Sequence, residues 1–163
     1  MESFHDCVIE YKKQLDKGII QRAYLGLMEY ILRLKTHLNK QYPDYFVSGG
    51  IYFGYMDMTY FSFMPVSIKE KKLKVAIVFV HDTCRFEAWL GGYNKQIQKE
   101  SWELFRERDW DKYPVVPSIA GRDAIVEHIL VKEPDFDDLE GLTDQIERGV
   151  IQFIKEVERF LVS

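Results

Sequence analysis

Between positions 85 and 105 the chain reads RFEAWLGGYNKQIQKESWELF. Arg85, Glu87 and Trp89 alternate with Phe86, Ala88 and Leu90. That is the two-residue period of a strand with one core face and one polar face carrying an aromatic. Beyond Gly91 and Gly92 the period lengthens, and Asn94, Gln98 and Trp102 recur at four-residue steps along one row of a helix, with Lys95 beside them. Arg or Lys meets an anionic group, amides hydrogen-bond a planar polar one, and an indole stacks on it. If the glycine pair turns the helix back across the polar strand face, Arg85, Glu87, Asn94 and Gln98 converge under Trp89 in a pocket for a small-molecule or peptide ligand. The competing account is structural: Arg85 and Glu87 form an internal ion pair, Asn94 caps the helix, and the tryptophans pack in the core.

Other chemistries find weaker support in the spacing. His5, His37, His81 and His128 fall on different elements without HxH, HxxxH or CxxC spacing, so no metal site and no cofactor is expected. His81, Asp82 and Cys84 stand close enough in sequence for a base beside a thiol, but the alternation points Cys84 at the core and puts His81 in a hairpin turn. The acidic run at Asp135, Asp137, Asp138 and Glu140 lacks the glycine and closing glutamate of a calcium loop and suits a helix cap. Neither Gly49-Gly50 nor Gly91-Gly92 belongs to a phosphate-cradling motif.

The order helix, strands, helix, strand is compatible with the restriction-endonuclease-like superfamily, in which carboxylates on adjacent strands hold a divalent metal and a lysine helps activate water. Asp44 with Glu70 and Lys72 matches formally, but the latter two lie in a polar run that reads as a solvated face. Asp57 with Glu87 is the alternative metal pair, with Gln98 and Trp102 resembling a QxxxY helix motif; Trp89 then stands where the lysine belongs, which leaves at best a degenerate nuclease.

These residues need elements to hold them. Ser3 caps a short amphipathic helix over 3–16, and after Gly18 a second helix runs from Ile20 to before Pro43. "IYFGYM", "MTYFSFMP", "KKLKVAIVFV" and "CRFEAWL" read as an antiparallel meander with HDT as the last hairpin turn. A helix then runs to about Arg108. An irregular connection leads to the strand AIVEHILV, and a terminal helix starts near Thr143. The fold class is therefore α+β: N-terminal helices, a multi-strand antiparallel meander, then helix–strand–helix packed on one sheet face.

With 163 residues, 47% of them apolar, the chain suits one domain over 1–163. A net charge of −4 gives no overall attraction to nucleic acid, and no apolar run reaches the roughly 18 residues of a membrane span. Two unpaired cysteines and a charged N-terminus suggest a reduced, cytoplasmic protein. The aromatic-rich IYFGYMDMTYFSF offers a third function class, an interaction module or homodimer interface.

RFEAWLGGYNKQIQKESWELF resembles the signature of a family of small uncharacterised bacterial proteins, as do GYMDMTYFSFMP and QIERGVIQFIKEVERFL. The resemblance covers most of the chain. It implies a single α+β domain and assigns no activity.

Overall fold

The structure, a computed structural model, describes residues 2–162. The chain divides into two compact units, Met1–His37 and Leu38–Ser163. The first holds helix α1 (Phe4–Leu15) and most of α2 (Ile19–Gln41). Ser3 and Asp6 cap α1 reciprocally: the Ser3 hydroxyl accepts from the Asp6 amide and the Asp6 carboxylate from the Ser3 amide. Gly18, at φ +73°, makes the left-handed turn into α2 that a Cβ would resist.

The second unit is built on a five-stranded antiparallel sheet in simple meander order: β1 (Phe46–Val47), β2 (Met58–Met64), β3 (Leu73–Val80), β4 (Arg85–Gly92) and β5 (Val126–Val131). Directly paired residues share a face. The pairs Thr59–Phe79, Phe61–Ile77, Ile77–Ala88, Phe79–Phe86 and Val75–Leu90 therefore form one apolar face, and all of these residues are buried. Helix α5 (Leu139–Val162) lies against that face through a stripe that includes Ile146, Val150, Phe153 and Val157, with Phe153 stacked over His128 of β5. Helix α4 (Lys95–Glu107) joins the same layer, since Phe105 stacks on Phe160 at 4.4 Å. Tyr42, just beyond α2, ties into this layer by donating to Glu147 of α5 at 3.0 Å, and burial together with that carboxylate pushes its hydroxyl up to about 12.

The α+β order of helices, meander, helix, strand and helix is as the periodicities require. Four local expectations are corrected. Cys84 is exposed, not core-facing: β4 begins at Arg85, opposite Val80, and Cys84 closes the His81–Cys84 turn in the left-handed conformation at φ +51°. IYFGYM makes only an isolated bridge, Tyr52 to Tyr60, because Met56 and Gly54 adopt positive φ and turn the backbone. The polar run before β3 contains a short helix, α3 (Val66–Glu70), that buries Ile68. Helix α5 starts at Leu139 rather than Thr143, because Asp138 accepts from the Gly141 amide and caps it.

Candidate functional site

The other sheet face carries the candidate chemistry. The row Tyr60–Val78–Glu87–Ile129 crosses four strands, flanked by Arg85 and Trp89 on β4. Glu87 is only 4% exposed, and each oxygen has a partner: Oε2 takes the Arg85 Nε–H at 2.8 Å and Oε1 the Trp89 indole N–H at 2.9 Å. Strand alternation puts all three side chains on one face, so the network is local to one strand. Trp89 also faces Glu127 across the β4–β5 pair. Burial and the nearby Glu87 carboxylate push the Glu127 pKa up, while Arg122 and Arg85 pull it down. Arg122 Nη1 lies 4.0 Å from Glu127.

Asn94, Lys95 and Gln98 stand apart from this network, at the start of α4. The Asn94 side chain accepts from the Ile97 amide at 2.8 Å as the N-cap. Gln98, at 9% exposure, accepts from the Gly92 amide and donates to the Arg122 carbonyl, so it stitches the helix to the end of β4 and to the 119–123 loop. The glycine pair serves close approach rather than unusual torsion. A Cβ on Gly91 would come within 2.8 Å of the Asp123 carbonyl, and one on Gly92 would collide with the Gln98 backbone. Trp102 lies further along the helix, half-buried, with its indole N–H on the Val116 carbonyl at 2.8 Å and the Arg106 guanidinium 4.5 Å above its ring.

The seven candidates thus form no single cluster. Arg85, Glu87 and Trp89 engage one another, Asn94, Lys95 and Gln98 line a cleft of about 640 Å³, and Trp102 anchors a loop. The cleft's far wall is Ile119–Asp123. Arg122, which the sequence reading passed over, belongs to both places, lining the cleft and approaching Glu127 on the sheet. Glu127 alternates with the core residues of β5 and was readable as outward-facing, but nothing local in the sequence joins it to Glu87. Lys95 and Arg122 give the cleft two cations against one Asp123, and the first turn of α4 holds no acidic residue to offset the positive end of the helix.

Asp57 does not meet Glu87. It precedes β2, two strands from β4, and sits three residues along from Tyr60, which pairs with Val78 and through it lines up with Glu87. That offset is roughly 10 Å in each direction. Asp57 instead shapes the 54–58 turn, where amides of Tyr55 and Met58 hold its carboxyl below the usual range. Among the described residues no group of three or more His, Cys, Asp or Glu side chains is placed to hold a metal ion. Tyr52, Phe53, Tyr55 and Met56 are exposed around the same turn. No helix among the described residues is long and apolar enough to cross a membrane.

No curated protein and no solved structure matches the chain. A family model does, across nearly the whole length: residues 4–161 match a domain of unknown function (DUF7000), and the chain belongs to that family.

Proposed function

We propose that the protein binds a small molecule bearing an anionic group in the cleft between the start of α4 and the 119–123 loop. The observation that carries this reading is the concave space of about 640 Å³ where Lys95 and Arg122 line opposite walls beside the N-terminus of α4. Concavity lets a ligand shed water on several sides at once, and the cations and helix end supply attraction for negative charge. Gln98 contributes shape, since its amide already bridges the Gly92 amide and the Arg122 carbonyl, whereas Asn94 spends only its side-chain oxygen on the Ile97 amide. Arg85, Glu87 and Trp89 engage one another on the sheet and are not among the walls of the cleft. The metal-dependent nuclease reading lacks comparable support, because its two carboxylates stand far apart and each already has a structural role.

A thermal-shift series with the carboxylates citrate, malonate and succinate tests this. A ligand at about 100 times its dissociation constant adds roughly 2.7 kcal/mol to the native state, worth about 5–10 °C in Tm for a chain this size. Replacing Lys95 and Arg122 together by alanine should abolish that shift while leaving the ligand-free Tm within a degree or two. A shift of equal size in the double variant, or no shift with any of the anions, would overturn the proposal.

A further inference from the structure

The sequence IKEKKLK, read from composition alone as a solvated charge run, is sorted by the fold into two sets. Lys69 on α3, Lys72 in the turn and Lys74 on β3 line one concavity of about 520 Å³, whereas Glu70 and Lys71 are not among its walls. Its apolar lining includes Met64 and Leu73, 1% and 3% exposed. Its rim carries Phe46 and Tyr93. No acidic residue lines it, so three cations gather in one hollow of a chain whose net charge is −4.

The three ammoniums are exposed, and none of them forms an ion pair among the described residues, which leaves their charge available to a ligand. Two are steered by aromatic faces instead. The Lys69 ammonium sits 4.0 Å from the Phe46 ring centroid, and that of Lys74 5.1 Å from Tyr93. Cation–π contacts orient an ammonium without neutralising it. Lys72 adopts φ +59°, a conformation that glycine or asparagine would take at less cost, and its carbonyl accepts from the Tyr93 amide at 2.9 Å. The turn that brings the lysines together is thereby tied to the β4–α4 junction.

We infer that this hollow is a second anion site, distinct from the cleft beside Lys95, and that it takes a small phosphate ester with a flat apolar group. The ammoniums of Lys69, Lys72 and Lys74 meet the phosphate, and the flat group lies between Phe46 and Tyr93 over the apolar lining. Lysine suits phosphate as a mobile point charge with three donors. An aromatic rim over an apolar lining favours an aryl or base-bearing ester above inorganic phosphate.

Isothermal titration with phenyl phosphate and with inorganic phosphate, on the full chain, separates these contributions. Phenyl phosphate should bind more tightly than inorganic phosphate, with affinity falling as salt rises. Lys72→Glu with Lys74→Glu should weaken phenyl phosphate at least 10-fold. Tyr93→Ala should weaken it severalfold while leaving inorganic phosphate unchanged, and Lys95→Ala should alter neither. All these positions are exposed, so the variants should retain the parent Tm, which circular dichroism checks. Absence of phenyl phosphate binding at millimolar concentration, or insensitivity to the double charge reversal, would overturn the assignment. Binding confined to a single-stranded oligonucleotide or to vesicles of phosphatidylserine and phosphatidylcholine would overturn it as well.

Discussion

Glu87 is 4% exposed, so its interactions report on packing as much as on function. Its two oxygens are divided between Arg85 Nε–H and the Trp89 indole, and truncating Arg85 would leave one of them without a donor. A fully buried pair broken from one side costs about 3–5 kcal/mol, but the Arg85 side chain is 30% exposed and water can re-enter. Arg85→Ala should therefore destabilise the fold by about 1–3 kcal/mol in urea denaturation, the range for leaving a buried polar group without its partner. Ligand binding in the Lys95 cleft should be unaltered. A stability change within about 0.5 kcal/mol would mean that the network is an ordinary surface contact. The pairing of Arg85 with Glu87 was legible in the sequence because residues two apart on a strand share a face. The nearness of Glu127 was not, because it depends on β5 pairing with β4, which brings together residues 40 positions apart in the chain. Lys95 was legible as a cleft residue only as a neighbour of the amide row; its counterpart Arg122 lies in a loop with no periodicity to read.

Among the elements, the β4–α4 junction shows how one residue type can carry opposite meanings. Gly92 has the Gln98 backbone against the place a Cβ would fill, whereas Gly26, in the interior of α2, has nothing within 4 Å of that place. Gly92→Ala must push α4 away from the strand or tilt it, at about 1–3 kcal/mol of overpacking, and should loosen the cleft at the same time. Gly26→Ala removes backbone freedom from the unfolded chain without a clash and should stabilise by about 0.5–1 kcal/mol. Chemical denaturation of the two variants side by side checks the sign of each, and a stabilising Gly92→Ala would show that the close approach is relieved at no cost. Long elements were readable from the sequence because their apolar positions recur over several turns or strand repeats: Ile146, Val150, Phe153 and Val157 mark α5 without any knowledge of the sheet. Short ones escaped. Helix α3 spans five residues and has a single buried side chain, Ile68, too little for a period to show. The Cys84 position failed for a related reason, since strand alternation continues on paper past the point where the hairpin must turn.

At the scale of the whole molecule, charge and burial act together through pH. A net charge of −4 conceals both the lysine-lined hollow and several titratable groups held away from water. His128 on β5 has Tyr113 at 4.2 Å and Phe153 at 6.0 Å, and burial pushes its pKa below 6.5 despite the opposing pull of Glu156 and Glu87. His81 is lowered the same way, burial outweighing Asp57. Glu127 is raised above 4.5, by burial first and Glu87 second. Below pH 6.5 the unfolded chain takes up protons on both histidines that the folded chain refuses until lower pH, so their contribution to stability falls with pH. Glu127 acts in the opposite direction, because the folded state takes up its proton first and gains stability as pH drops toward 4.5. With two histidines against one glutamate, the urea midpoint should decline from pH 7 to pH 5.5. His128→Gln should make that decline shallower, since the aromatic cage then holds a side chain that does not titrate in this range. A variant whose midpoint declines as steeply as the parent's would show that His128 is protonated equally in both states, and would leave the acid sensitivity to His81.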